Sequence, residues 1–194
     1  MKPNSVAIFN SNDIYPVSAD SSLPFAQHRD IFYLSGVDQE ESILLLFPDA
    51  PYENQREMLF LKETSEHIAI WEGEKLTKDR AFEVSGIKTV HWLQDFEKVL
   101  FELMTYSDTI YINTNEHYRA KVETETREAR FVKWWAAKYP AHTVAKSNPI
   151  LQRIRSVKET EELDLIQNAC NITEKGFRRL LSFVKPNVME YEIE

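Results

Sequence analysis

The side chains able to do chemistry are few, and their spacing builds no site. The five histidines are His28, His67, His91, His117 and His142. None pairs with another at metal-ligand spacing, and no HExxH occurs. Each reads as a surface or interface histidine rather than a ligand. The four glycines form no GxGxxG and no P-loop, so no cradle for a nucleotide phosphate is expected. No GxSxG exposes a serine nucleophile. Cys170 falls among the apolar positions Leu163, Ile166 and Phe177, where a small buried hydrophobe is expected rather than a nucleophile. Asp38, Glu40 and Glu41 read as a turn. Glu159, Glu161 and Glu162 read as the first turn of a helix, where negative charge meets the positive end of the dipole.

The elements that would position such residues follow from composition and pattern. The 194 residues are 43% apolar and 28% charged, which fits one globular domain, or one with an appendage, around a real core. The net charge of −8 argues against nucleic acid or an anionic membrane as partner. Charge is uneven: residues 1–114 carry 9 Lys and Arg against 19 Asp and Glu, and residues 115–155 carry 9 against 4. The basic stretch reads as a solvated helix face rather than a nucleic-acid surface. Arg119–Glu123, Lys121–Glu125 and Glu123–Arg127 have the i,i+4 spacing of surface ion pairs. A single cysteine excludes an intrachain disulfide and fits a reducing compartment. Neither a membrane span nor a signal peptide is read, so a cytoplasmic location is expected.

Along the chain, Ser5–Phe9 predicts a first strand and Asp13–Gln27 a loop. Ile31–Ser35, β-branched and aromatic, predicts a strand ending at Gly36. Ser42–Phe47 is a continuous apolar run that would be buried on both faces of a sheet. Glu57–Lys62 alternates and predicts the next strand; Ile68–Trp71 follows, and Glu72-Gly73 turns the chain. Lys78–Ser85 predicts a short helix, Thr89–Trp92 a strand, Gln94–Tyr106 a helix of regular period, and Thr109–Ile112 a strand. A long helix is expected over Glu116–Tyr139, with Tyr118, Val122, Ala129, Val132, Ala136 and Tyr139 as its apolar stripe. Residues 141–154 read as irregular, or as containing one strand, at a domain boundary. A last helix is expected from about Glu159 to Val184. Strands alternating with helices predict an α/β layered domain.

Three segments carry a family likeness. Pro149–Arg155 (PILQRIR), the following amphipathic helix and NVMEYEIE resemble the opening of the pita-bread domain of Xaa-Pro aminopeptidases (aminopeptidase P). Asp20, Pro24-Phe25, Gln27, Asp30, Tyr33-Leu34-Ser35 and Gly36 resemble a pattern of that family's N-terminal domains. Ile70-Trp71-Glu72-Gly73 with Leu76 resembles its Ile-Trp-x-Gly turn. Two places depart from the pattern: Ala26 follows the Pro-aromatic pair, and Pro186-Asn187 stands where Pro-Gly is common.

The resemblance implies a mixed β-sheet flanked by helices over residues 1–152, like the N-terminal domains of creatinase and prolidase. Residues 153–194 would be a linker and the first helix of a catalytic domain whose ligands lie beyond Glu194. The fragment itself would bind no metal and be inactive; the complete enzyme would use two divalent metals, typically Mn²⁺, to cleave before proline. Its partners would be copies of itself, the catalytic domain of its own or a neighbouring subunit, and proline-containing peptides. Trp71 and Asp20 are the implied substrate-binding residues. By residue type alone, Trp71 beside a turn reads as a packing residue and Asp20 as a turn former. A protein-interaction module of the pita-bread superfamily and the N-terminal domain of a prolidase are the alternatives.

Overall fold

The computed structural model describes residues 1–114, 119 and 123–194. The chain divides into two compact units, Met1–Leu151 and Gln152–Glu194. The elements in order are β1 (Ser5–Asn10), β2 (Pro16–Ser18), β3 (Ser21–Ser22), α1 (Arg29–Ser35), β4 (Ile43–Leu46), β5 (Glu57–Leu61), α2 (Glu66–Glu72), α3 (Lys78–Ser85), β6 (Thr89–Trp92), α4 (Phe96–Leu103), β7 (Thr109–Ile112), α5 (Arg127–Lys138), β8 (Thr143–Lys146), α6 (Asn148–Ser156) and α7 (Thr160–Phe183).

The first unit is a mixed six-stranded sheet in the order β6-β5-β4-β1-β7-β8, flanked by helices. The β4 strand runs antiparallel to both β1 and β5, whereas the β1–β7, β5–β6 and β7–β8 pairs are parallel. Because side chains alternate along a strand, the sheet feeds two cores. Val6, Ile8, Ile43, Leu45, Met58 and Phe60 meet Phe96, Leu100 and Leu103 of α4 and Trp135 of α5. On the other face Ala7, Phe9, Leu44, Leu59 and Leu61 meet Ile31 of α1, Ala81 of α3 and Leu151 of α6. The apolar run at β4 is thus buried on both faces, as its composition requires.

Several expectations are corrected. Ile31–Ser35 is helical, not extended. The His28 ring accepts from the Asp30 N–H at the start of α1, and Gly36 at φ 69° closes it. Ile31 and Ser35, four apart, share the buried side, so caps and packing override the β propensity of these residues. Ile68–Trp71 belongs to α2, whose N-cap Ser65 accepts from the Ile68 N–H. The long helix begins only at Arg127, after the Thr126 cap. Tyr118, Val122 and Lys121 lie outside the described residues, and Glu123 and Glu125 precede the helix. Glu125 meets Lys133 of α5. Ala136 is exposed, and Trp135 beside it is fully buried. Asp13–Gln27 contains the small β2–β3 ribbon, and residues 141–154 hold β8 and most of α6.

The second unit is dominated by α7, where the Glu159 N–H donates to Glu162 at the first turn. No residue of α7 is buried. Cys170 is accordingly exposed rather than a buried hydrophobe. Asn187 takes φ 74°, the left-handed conformation that Asn tolerates better than most residues.

One side chain ties the loop before α1 to the segment that leads from α1 into β4. The buried Gln27 amide donates to Val37 O (3.1 Å), Gln39 O (2.9 Å) and, more weakly, Ser42 Oγ (3.4 Å). Its oxygen accepts from the His28 N–H at 2.8 Å. Gln27→Leu would strand these groups away from water. A loss of about 1–3 kcal/mol is expected, read as a lower urea midpoint at unchanged m-value; an unaltered midpoint would refute the clasp.

Candidate functional site

Trp71 sits near the end of α2, a helix with no buried residue. Its side chain is 81% exposed and that of Ile70 beside it 74%. The helix stops because Gly73 turns the chain at φ 79°, ψ 169°, a conformation that strongly favours glycine. Lys62, just past β5, bridges Glu72 at 2.7 Å and Glu41 at 3.1 Å. Glu72, then Glu41, hold the Lys62 ammonium above its ordinary pKa. Beyond the turn, the Leu76 N–H donates to Gln39 Oε1 at 2.7 Å. Trp71 is therefore a displayed side chain on a charge-tethered helix, not the packing residue its type alone suggests.

Asp20 lies in the turn joining β2 to β3, where Ala19 takes φ 49°. It is exposed. No hydrogen bond, ion pair or ring contact among the described residues joins Asp20 to Trp71. The other residues of the same motif have structural work. Gln27 is the clasp described above. Asp30 Oδ2 accepts from Asn113 Nδ2 at 2.6 Å, tying α1 to the end of β7. Ser35 Oγ donates to Ile31 O and accepts from the Val37 N–H. A Cβ on Gly36 would meet Val84 O at 3.5 Å, with the left-handed φ as the larger obstacle.

A buried polar group that the sequence did not reveal adjoins this corner. Glu128, in the first turn of α5, is 8% exposed. Its Oε1 accepts from the Asn10 N–H at 3.4 Å, a long bond, and its Oε2 has no partner. Burial, opposed by Asn10 and by the neighbouring Arg127, pushes its pKa up to about 8. The Asn10 amide lies near enough to act on this carboxyl, yet its Nδ2 forms no well-aligned hydrogen bond. The only signal in the sequence was a Glu on the apolar side of the α5 pattern.

Among the described residues, no group of three or more His, Cys, Asp and Glu is placed to hold a metal ion. What the geometry offers is a rigid sheet presenting an aromatic side chain and an acidic turn.

The family model described as "Aminopeptidase P, N-terminal domain" matches residues 1–111. The chain belongs to the aminopeptidase P N-terminal domain family. It is 26% identical over 195 residues to the Xaa-Pro aminopeptidase of Escherichia coli, covering 100% of this chain and 44% of that protein. A putative aminopeptidase P from Bacillus anthracis has a solved structure that matches the whole chain at TM-score 0.88 and 27% identity, with 46% of that structure covered. A zinc-substituted E. coli aminopeptidase P in complex with product matches at TM-score 0.78 and 24% identity, which speaks to fold alone. The chain thus spans less than half the length of these aminopeptidase P relatives.

Glu128 gives this aminopeptidase P domain a pH signature. A carboxyl whose pKa is raised on folding binds more proton in the folded state than in the unfolded state. Stability therefore falls as pH rises from the ordinary value of 4.5 to about 8 and levels off above it. At about 1.4 kcal/mol per unit, the loss is on the order of a few kcal/mol. Glu128→Gln is expected to remove that slope and to stabilise the protein at pH 9. Superimposable pH–stability curves for the two proteins would contradict the assignment.

Proposed function

We propose that this chain is the non-catalytic N-terminal domain of a Xaa-Pro aminopeptidase, serving subunit assembly and access to the active site in a cytoplasmic enzyme. The observation that carries the reading is end-to-end similarity to the E. coli Xaa-Pro aminopeptidase over all of this chain and 44% of that protein. In this reading residues 1–152 are the N-terminal domain, and residues 153–194 are the linker and first helix of a catalytic domain. Two divalent metals, Mn²⁺ in the proposal, would be held by that catalytic domain, where they would polarise the scissile carbonyl and supply hydroxide. This chain alone would release nothing from an Xaa-Pro peptide.

The substrate class follows from what proline lacks. A bond before proline has no N–H for a site to read, and the ring fixes φ. Recognition must then rely on the apolar ring itself, for which an exposed indole offers a large rigid surface. Trp71 is proposed to supply that surface to an active site, in its own or a neighbouring subunit, and Asp20 to approach the substrate pocket. In a protein that joins this domain to its catalytic domain, Trp71→Ala is expected to lower kcat/KM for Xaa-Pro peptides. The loss should correspond to about 1–3 kcal/mol, with Tm unchanged because the side chain is largely exposed. Unchanged kinetics would reject the role.

The same reading makes α7 an assembly element. Leu163, Ile166, Phe177, Leu181 and Val184 are all exposed along it, an apolar face of a size that rarely stays bare. The catalytic domain would cover it in the complete enzyme; in the 194-residue chain a second copy would. Light scattering is expected to give a larger mass for the chain than for one ending at Arg155. Equal numbers of subunits in the two would exclude helix-driven association.

A further inference from the structure

The carboxyl ends of β1, β5, β6, β7 and β8 lie along one edge of the sheet, because β4 alone runs the other way. Ligands of open α/β sheets collect outside such an edge. There the first unit has an open cleft of about 470 Å³, between the start of α5 and the segment that follows β6. Its size is within the range of small-molecule sites. The cleft has an aromatic wall: Phe131 and Trp134 have ring centroids 5.4 Å apart, and Phe96 lies 6.2 and 6.4 Å from them.

Two polar groups in its lining lack what they need. Asn10, the last residue of β1, is 1% exposed, and its Nδ2 makes no well-aligned hydrogen bond, though the amide acts on the Glu128 carboxyl. Arg127 is half-buried, and its guanidinium donates to Ser11 Oγ at 3.2 Å. Among the described residues it makes no ion pair with a carboxylate. Burial, more than any neighbour, draws its pKa below the ordinary value. Asp13 and Glu41 act on it only through space, their own ion pairs being with Arg130 and Lys62, and Glu97 pairs with Lys138. Burial pushes the pKa of the adjacent Glu128 carboxyl up, which weakens it as a counter-ion. A cation partly withdrawn from water with no carboxylate in contact is costly, and an anion that reaches it recovers part of that cost.

We propose that this cleft binds a monocarboxylate bearing an apolar ring or branched chain, with the carboxylate on Arg127 and the Asn10 amide and the apolar group against Phe131 and Trp134. Carboxylate on guanidinium is a strong, charge-assisted pairing, and an amide N–H can complete it. The ligand can be a free acid or the C-terminal residue of a peptide, since both present the same chemistry. The proposal is independent of the aminopeptidase reading and stands or falls apart from it.

The test uses the 194-residue chain and the indole N–H resonance of Trp134, assigned by its loss in Trp134→Phe. Phenylacetate is expected to shift it saturably. Phenylacetamide, which lacks the charge, and acetate, which lacks the ring, are expected to bind about tenfold more weakly or worse. N-acetylphenylalanine distinguishes the sources: saturable binding extends the site to peptide ends, and its absence restricts the site to free acids. Arg127→Gln should weaken phenylacetate by about tenfold and leave phenylacetamide unchanged, while Arg127→Lys should retain part of the difference. No saturable shift with phenylacetate, or equal binding of acid and amide, overturns the proposal; these comparisons need only the unsubstituted chain.

Discussion

The constraint on which this fold depends is the double burial of β4. Ile43, Leu44 and Leu45 are each almost wholly buried, and they point alternately to opposite sides of the sheet. A strand with no polar face cannot leave one side wet, so helices must cover both. Helices α4 and α5 take one side, and α1, α3 and α6 the other. The same strand sets the polarity of the sheet. As the one antiparallel member between β1 and β5, it lets its neighbours end on a common edge, where Asn10 and Asn113 emerge from adjacent strands and Lys62 from the far side of β4.

That edge is where polar chemistry concentrates, and the reason is geometric. Loops leaving a parallel edge carry unpaired backbone groups and the first turns of helices, which need polar partners. Gln27, Ser42 and Gln39 meet the need by hydrogen bonds among buried groups. Asp30 and Asn113 do so side chain to side chain. Glu128 and Asn10 meet it incompletely. The contrast separates polar residues that hold the corner together from the two whose hydrogen bonding is incomplete, so the domain is well ordered at its centre and less fully satisfied at its rim.

Much of the strand layout was legible from the sequence because the apolar runs are short, dense and bounded. Ser5–Phe9, Thr89–Trp92 and Thr109–Ile112 are strands where period and punctuation agree. Ile31–Ser35 was misread because its residue types favour strand while its caps, His28 and Gly36, favour helix; the caps act through backbone hydrogen bonds that composition does not display. The Thr126 cap that starts α5 is hard to read because the charged i,i+4 spacing ahead of it by itself suggests an earlier start. Of the candidate site, Trp71 and Asp20 were visible only through likeness to a family. The exposure of Trp71 could not be read from residue type, since an indole beside a turn is compatible with either packing or display. The Asn10–Glu128 pair joins residues 118 apart in sequence, and no local pattern encodes such a meeting.

The tether of α2 has a consequence for motion. Two turns of helix with no buried side chain gain little from packing, and a helix this short is marginal by itself. What holds it is the Ser65 cap, the Gly73 turn and the Lys62 bridge, and the bridge is half in solvent. Such an electrostatic link weakens as ions screen it. The amide hydrogens of α2 should accordingly exchange long before those of β4, and sooner still in concentrated salt. The aim of the Trp71 indole is then a soft coordinate mounted on a stiff frame, adjusted by ionic strength with no change in the sheet beneath.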